Sequence, residues 1–408
     1  MHARAQVRRP GKWTGVLAAA LAGYVAVCVW ISQLALHPPR TRVSDSRRPV
    51  VGLVLQDDGP SIRIKSVVAP AATAGLRGGD RIVALDGHDP GTAAAFAGEI
   101  ARRTAGEVVA IEARRPGPDG DVAVLANVSV EVRAVSPADF GLPYEDVTFP
   151  GAGGRTLRGW FVAAPGARRS PAVAYGHGNA ADRRQWLGVA PEVHAAGIGQ
   201  LLFDFGGCGE SDGAGVTLGA LEAEDLRAAL RWLAARPEVD PGRLALAGRS
   251  MGAVAAVLAA DPRGGGPRIG ALVLDSPYAS LTRVLDDALR GMHLPPAMFR
   301  PAAMAIIALR GRFEPSTIRP VDVLAEIPAD VLLVHGDRDT LVSFDHALEL
   351  QHAAARGGRP DLTFVRLPGL GHGSPRPERY ARDVARFLSE RLTLYEHDFE
   401  IDRRPPGS

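Results

Sequence analysis

From about residue 142 onward, short apolar runs alternate with turns, and this pattern predicts a largely parallel sheet. Apolar runs that read as buried strands lie at 172–176, 201–203, 244–247, 331–334 and 363–367. An alanine-rich run at 253–260 follows the third of them and predicts a helix. Open sheets of this kind bind ligands just past the carboxyl ends of their strands. We therefore look for functional residues at those ends.

The pentapeptide Gly248-Arg249-Ser250-Met251-Gly252 separates the predicted strand at 244–247 from the predicted helix. Strand, sharp turn and helix are what a G-x-S-x-G nucleophile elbow requires. The serine sits on a strained turn, and small flanking residues let the strand and helix backbones approach closely. In a chain with 47 glycines the pattern alone is weak, so the assignment depends on partners for the serine.

A serine hydroxyl becomes a good nucleophile when a histidine takes its proton and a carboxylate orients that histidine. The strand at 331–334 runs into a turn that carries Asp337 and Asp339. The strand at 363–367 ends in a turn that carries His372. Both turns follow the carboxyl ends of predicted strands, and the order serine, acid, histidine fits a G-x-S-x-G enzyme.

Residues 142–392 resemble the α/β-hydrolase superfamily of serine hydrolases. The resemblance rests on the elbow, the two later turns and three further motifs, His177-Gly178-Asn179, 204–211 and Asp275-Ser276-Pro277. It implies a mostly parallel sheet flanked by helices, with a helical lid. It also implies Ser250 as nucleophile, Asp339 as acid and His372 as base. Asp337 is the competing acid, but Asp339 has the family's spacing to Val342.

An oxyanion hole needs two preorganised N–H donors. By the same resemblance, these are the backbone N–H groups of Met251 and Asn179. His177 is expected to shape its loop rather than to act as a second base. Asp204 is expected to stabilise a turn, and Cys208 to be a packed side chain rather than a reactive thiol.

Composition gives little information about partners. The formal net charge of +2 gives no argument for a nucleic-acid partner. The two cysteines, Cys28 and Cys208, predict no intrachain disulfide, because Cys28 lies in an apolar segment. No motif indicates a metal or an organic cofactor.

Residues 13–36 carry no Asp, Glu, Lys or Arg and are long enough for one transmembrane helix, which needs about 20 residues. The alternative is a cleaved signal peptide, since Arg4, Arg8, Arg9 and Lys12 precede the segment. We favour an uncleaved, single-pass anchor in the cell membrane, because no A-x-A site stands at the end of the segment. The short basic N-terminus favours an extracytoplasmic hydrolase domain.

Residues 50–135 form a second predicted unit. Strands are predicted at 51–54, 62–68, 108–114 and 123–132, and a helix at 92–103. The stretch at 69–87, with its Pro-Ala, Ala-Gly-Leu and Gly-Asp steps, resembles the bacterial PDZ domain. The unit is inserted between the N-terminal segment and the hydrolase segment.

PDZ domains bind an extended peptide at a sheet edge and hold its terminal carboxylate with backbone N–H groups. The resemblance implies that Gly52, Leu53 and Val54 supply these groups. Ala93, Phe96 and Ile100 would line the side-chain pocket. The partner would be a peptide or protein C-terminus. The alternative is an empty groove, with the unit acting as a spacer between membrane and hydrolase.

The stretch at 277–329 is too long for a simple connection, and we predict a helical lid there. Residues 393–408 are predicted to be a disordered tail. The chain is thus interpreted as a membrane-anchored serine hydrolase that cleaves an ester, thioester or amide, most simply a carboxylic ester. Two alternatives are a serine peptidase with PDZ-presented substrates and a non-enzymatic PDZ adaptor with a vestigial hydrolase domain.

Overall fold

The computed structural model describes residues 12–44, 47–166, 169–358 and 362–401, without the side chains of 12–19, 378 and 394–401. Its first element is helix α1 (Lys12–Leu36), at the position of the predicted span. Among the described residues, no helix is both long and apolar enough to cross a membrane. The predicted transmembrane helix at 13–36 is therefore not confirmed. Residues 1–11, which hold three of the four basic residues before it, lie outside the described part.

A small unit follows, and the chain enters and leaves it at one place. The entering strand β1 (Arg47–Val50) pairs antiparallel with the leaving strand β7 (Glu131–Ala134), so that Val50 lies opposite Glu131. Between them lies a five-stranded antiparallel sheet in the order β2-β3-β4-β5-β6. Its strands are β2 (Leu53–Asp58), β3 (Ser61–Val67), β4 (Arg81–Leu85), β5 (Val108–Arg115) and β6 (Val122–Ser129).

One helix, α2 (Ala93–Ile100), packs on this sheet and lies beside β2. Thr92 caps it, since the Thr92 hydroxyl accepts from the N–H of Ala95 over 3.1 Å. Phe96 and Ile100 point into the core of the small unit and are buried. These two side chains therefore fill the unit's own core, where the sequence had suggested a peptide pocket.

The large sheet has eight described strands in the order β15-β14-β13-β12-β10-β11-β9-β8. The strands from β11 to β15 along this order run parallel, and β9 and β8 are antiparallel. The bounds are β8 (Glu145–Pro150), β9 (Thr156–Val162), β10 (Ser170–Gly176), β11 (Gly199–Asp204), β12 (Val239–Arg249), β13 (Ala271–Asp275), β14 (Asp330–Gly336) and β15 (Leu362–Leu367). The five predicted strands coincide with β10, β11, β12, β14 and β15, so these predictions are confirmed.

Helices cover both faces of the large sheet and give it two apolar cores. They are α3 (Ala190–Ala195), α4 (Ala220–Ala234), α5 (Met251–Ala259), α6 (Leu281–Gly291), α7 (Pro296–Gly311), α8 (Phe344–Arg356) and α9 (Glu378–Ile401). Helices α4, α5 and α8 contribute to one core, and α3 and α9 to the other. The central strand β12 is buried between them, which fixes the position of the turn that follows it.

The segment predicted as a lid contains α6 and α7, and α7 packs against α1. Their shared apolar cluster includes Ile31, Leu36, Leu289 and Ile307. The N-terminal helix is therefore packed onto the large unit through its second half.

At the other end, α9 continues to Ile401, whereas the sequence predicts a disordered tail from residue 393. No proline or glycine interrupts the chain between Glu378 and Ile401, so nothing local ends the helix earlier. Residues 402–408 lie outside the described part.

Candidate active site

Ser250 stands in the sharp turn between β12 and α5. Its φ of 54° and ψ of −121° are strained for a residue with a Cβ. Two glycines make the turn possible, because a Cβ on Gly248 would lie 2.2 Å from the carbonyl oxygen of Gly252. A Cβ on Gly252 would lie 2.2 Å from the carbonyl oxygen of Gly176. This backbone conformation is stabilised by the N–H of Ser250, which donates to the carbonyl oxygen of Asp275 over 2.8 Å.

His372 lies in the loop after β15 and bridges the serine to a carboxylate. Its Nε2 is 2.9 Å from Oγ of Ser250, and its Nδ1 is 2.7 Å from Oδ2 of Asp339. Since the carboxylate can only accept, Nδ1 carries a hydrogen and Nε2 is left to accept from the serine hydroxyl. Such an arrangement can take a proton from a serine as the serine attacks a carbonyl carbon.

Asp339 is buried at the end of β14 and fully hydrogen-bonded. Its Oδ1 accepts from the N–H groups of Leu341 and Val342 at 3.0 and 2.9 Å. Burial by itself would raise the pKa of Asp339. The hydrogen bond and charge of His372, together with the Val342 N–H, outweigh burial and hold the pKa below its ordinary value. The carboxylate is thus ionised at neutral pH.

Asp337, the competing acid, faces a different partner. Its carboxylate accepts from Arg366 Nε over 2.9 Å and from the N–H of Gly369 over 2.6 Å. The hydrogen bond to Arg366, with that of Gly369, lowers its pKa. Asp337 therefore stabilises the loop that leads to His372 and makes no hydrogen bond to the imidazole.

Met251 directly follows the serine in the chain, and Asn179 lies in the loop after β10. Neither backbone N–H donates a hydrogen bond to another described residue. The loop that carries Asn179 abuts the elbow, because a Cβ on Gly178 would lie 3.5 Å from Cβ of Ser250. The N–H of Gly178 is already used by Oε1 of Gln185 over 2.8 Å, which leaves that of Asn179 available.

Three other side chains have the environments that the sequence indicated. His177 is fully buried; its Nε2 accepts from the N–H of Phe205 over 3.0 Å and its Nδ1 faces the carbonyl of Gly178, so it shapes its loop. Asp204 accepts from two backbone N–H groups, those of Arg183 and Glu210. Cys208 is buried, and burial raises the pKa of its thiol far above the ordinary value.

A charged network behind the serine was missed by the sequence reasoning. Asp275 is buried and accepts from Arg376 and from the hydroxyl of Tyr380. Burial would raise the pKa of Asp275, but the ion pair with Arg376 and the charge of Arg249 hold it below its ordinary value. Nη2 of Arg249 donates to the carbonyl oxygen of His372 over 2.8 Å. The sequence offered one signal, the motif at Asp275, but did not identify its partners.

The sequence also did not indicate that α1 contacts residues near this site. The side-chain amide of Asn179 is 3.4 Å from the carbonyl oxygen of Ala35. The carbonyl of Leu36 accepts from the N–H of Val216 over 2.9 Å, and Arg40 donates to the carbonyl oxygen of Gly209 over 2.8 Å. The end of the N-terminal helix therefore contacts the loop that carries Asn179.

Gly52 directly precedes strand β2 of the small unit, and Leu53 and Val54 are its first two residues. Gly52 has a φ of +76°, and a Cβ there would lie 2.4 Å from the carbonyl oxygen of Val68, so only glycine fits. Among the described residues, no group of three or more His, Cys, Asp or Glu side chains is placed to hold a metal ion.

The chain is similar to several known proteins. The prolyl oligopeptidase family matches residues 214–393. An uncharacterized protein of Mycobacterium tuberculosis is 33% identical over 252 residues, which are 61% of this chain and 80% of that protein. The Arabidopsis thaliana protein WAV2, described as containing an alpha/beta hydrolase domain, is 28% identical over 244 residues, 58% of this chain and 75% of its own.

Among solved structures, the Pyrococcus furiosus esterase Pf2001 is similar, with a TM-score of 0.51 and 25% identity. The likeness covers 63% of this chain and 96% of the esterase.

Proposed function

This chain belongs to the α/β-hydrolase superfamily, and on that basis we propose that it is a serine hydrolase acting through Ser250, His372 and Asp339. One observation carries the proposal. The hydrogen bonds that His372 donates to Asp339 and accepts from Ser250, 2.7 and 2.9 Å long, orient the imidazole and place its Nε2 to take the serine proton.

In the first half-reaction, Oγ of Ser250 attacks the substrate carbonyl while its proton passes to Nε2 of His372. Asp339 stabilises the imidazolium that forms, and the N–H groups of Met251 and Asn179 receive the oxyanion. The tetrahedral species then collapses. The leaving group departs with the proton from His372, and an acyl-Ser250 remains.

In the second half-reaction, His372 takes a proton from water as the water oxygen attacks the acyl carbon. Collapse releases the carboxylic acid, and the proton returns from His372 to Oγ of Ser250. Atoms and charge balance over the cycle, and no cofactor takes part.

The likeness to an esterase of Pyrococcus furiosus favours a carboxylic ester as substrate. A thioester or an amide would pass through the same steps. The match to the prolyl oligopeptidase family supports a second candidate, a serine peptidase. A vestigial hydrolase that serves only as an adaptor is disfavoured by the intact hydrogen-bond path at Ser250.

The direct test is labelling with a fluorophosphonate, followed by p-nitrophenyl esters of increasing acyl length and a peptide panel. The wild-type chain should be labelled and should hydrolyse short esters. Ser250→Ala should lose both while keeping its circular-dichroism spectrum. Undiminished turnover in Ser250→Ala would refute the assignment of the nucleophile.

For the small unit we propose a PDZ-like peptide-binding role, with the terminal carboxylate held at Gly52, Leu53 and Val54. The positive φ of Gly52 supports this, because such turns direct successive N–H groups toward an anion. A peptide amidated at its C-terminus should bind much more weakly than the free acid. Equal binding of the two would reject this role for the three residues.

For the N-terminal segment we propose a single-pass membrane anchor at 13–36, with the hydrolase unit on the extracytoplasmic side. The support is the absence of Asp, Glu, Lys and Arg from the segment and the basic residues before it. The chain should fractionate with membranes and resist carbonate extraction. Protease access to the large unit in spheroplasts reports its side of the membrane.

A further inference from the structure

A cleft of about 800 Å³ separates the small unit from the large one, and we refer to it as the interunit cleft. On the small unit it is lined by Val54–Asp57 of β2 and by Ala93 and Ala94 of α2. On the large unit its wall includes Arg249, Asp275, Arg376, Tyr380 and Arg382. The cleft thus extends from the groove of the small unit to the charged network behind Ser250.

The wall on the small unit is a free strand edge. Strand β2 ends the five-stranded sheet and pairs with β3 only, among the described strands. Side chains of a strand alternate between its two faces. Residues 54 to 57 are four consecutive residues of β2, and all four line the cleft. Because their side chains point to alternate faces, the cleft follows the edge of the strand and not one of its faces. A free edge beside a helix is a surface to which an extended peptide can add as a further strand.

The opposite wall offers positive charge to such a peptide. Arg249 is partly exposed, and its Nη1 makes no hydrogen bond to a described residue. Arg382 is exposed and forms no ion pair with the described residues. Among the other charged side chains that line the cleft, Lys65 pairs with Glu192 and Arg376 with Asp275, and Asp57 accepts a hydrogen bond from the N–H of Ala93.

Arg249 also contacts the catalytic histidine of the proposed mechanism. Nη2 of Arg249 donates to the carbonyl oxygen of His372, and its Nε lies 3.8 Å from the carboxylate of Asp275. The same guanidinium therefore faces the cleft with one nitrogen and holds the His372 loop with another. Fixing the guanidinium on the cleft side would also fix it against His372.

We propose that acidic side chains of a peptide bound along β2 are recognised across the interunit cleft by Arg249 and Arg382. We further propose that this peptide holds His372 in its working position through Arg249. The second part rests on the proposed serine-hydrolase function. Arg249 is then a positioning residue, since it acts on the substrate only through His372.

Binding is tested first, in a form that does not depend on catalysis. The probe is a short fluorescein-labelled peptide of alternating valine and glutamate, so that one set of side chains faces β2 and the other faces the arginines. The protein is the full chain carrying Ser250→Ala. Fluorescence anisotropy should show saturable binding that weakens with salt. A peptide with glutamine in place of glutamate should bind at least about tenfold more weakly, as expected for loss of charge-assisted hydrogen bonds.

Two tryptophan variants on α2 locate the binding site. Ala94→Trp places an indole in the cleft and should abolish binding of the glutamate peptide. Ala95→Trp, an exposed position on the same helix outside the cleft, should leave it intact. Equal binding of the two peptides, or binding that survives Ala94→Trp, would overturn the assignment of the site.

Coupling to His372 is tested with wild-type chain and p-nitrophenyl acetate. Saturating glutamate peptide should raise kcat about fivefold, at the low end of ordinary coupling between sites, with little change in KM. In Arg249→Lys the peptide should still bind through Arg382 but should no longer raise kcat. The pH profile of kcat should shift if the peptide acts on His372, and it should keep its shape if the peptide changes only the fraction of folded protein.

The outcomes separate the two proposals. If Ser250 is required for turnover and the peptide binds without altering kcat, the coupling through Arg249 is wrong and the serine-hydrolase function stands. If Ser250 is not required for turnover, the proposed function itself fails, whereas binding to the cleft is judged by anisotropy alone.

Discussion

The side-chain amide of Asn179 lies 3.4 Å from the carbonyl oxygen of Ala35, so the N-terminal helix meets the loop of the proposed oxyanion donor. The contact joins two residues that are 144 positions apart. The segment that reads as a membrane anchor is therefore also a support for the candidate active site.

A chain that begins at Ser44 should be less stable and less active than one that begins at Ala20. The shorter chain loses the Leu36 carbonyl that accepts from the N–H of Val216, and a buried unsatisfied donor costs about 1–3 kcal/mol. We expect a lower Tm and a severalfold lower kcat/KM for short esters, measured in one detergent for both chains. Equal Tm and kcat/KM would show that α1 does not support the site.

Asp339→Asn should lose most ester hydrolysis, on the order of 10⁴-fold in kcat, because an amide would favour the wrong tautomer of His372. Asp337→Asn is the matched control and should lose far less, since Asp337 contacts Arg366 and Gly369 instead of the imidazole. Steady-state kinetics on p-nitrophenyl acetate compares the two variants. The reverse ranking would move the catalytic acid to Asp337.

Asp275 should make the chain sensitive to acid. Its pKa is lowered in the folded state, because Arg376 and Arg249 outweigh the effect of burial. A carboxyl group with a depressed folded pKa stabilises the fold fully above its unfolded pKa of about 4, and this contribution is lost as the pH falls through the lower folded pKa. Thermal unfolding between neutral and strongly acidic pH should show this loss.

In Asp275→Asn that part of the pH dependence should disappear. The Tm at neutral pH should also be lower, because removing one partner of a buried ion pair costs about 3–5 kcal/mol. An unchanged acid limb of the Tm profile would show that Asp275 does not supply it.

Removal of residues 51–130, with a two-residue turn joining Val50 to Glu131, should leave a folded chain that still hydrolyses short esters. The join is feasible because these two residues are paired across the β1–β7 ladder. The shortened chain should no longer respond to the glutamate peptide. Size-exclusion chromatography and ester kinetics provide the readouts, and an insoluble or inactive product would show that the large unit needs the small one.

The elements around Ser250 could be predicted because their signals are local. A buried strand, a glycine-flanked turn and an alanine-rich helix follow one another directly, and the turns with Asp339 and His372 end recognisable strands. The hydrogen bond from Arg249 to His372 could not be predicted in this way. It joins residues 123 positions apart, and an arginine at that point of the elbow is equally compatible with an exposed side chain.

The packing of α1 on α7 could not be predicted from the sequence for a different reason. An apolar helix without Asp, Glu, Lys or Arg has the same composition whether it faces lipid or another helix, so the pattern does not distinguish the two surroundings. The extent of α9 was mispredicted because the polar residues after Leu392 indicate exposure to solvent, and exposure is compatible with a helix.

The β1–β7 ladder has a mechanical consequence. The chain is already fastened to the large unit before it reaches the ladder, through Leu36 and Arg40, and it rejoins the large unit after β7. A pulling force between the N-terminal helix and the large unit would therefore be carried by the hydrogen bonds at Leu36 and Arg40 and would not stretch the small unit. A domain connected in this way cannot set the distance between the large unit and a membrane. It can still respond to a ligand that binds in the interunit cleft beside it.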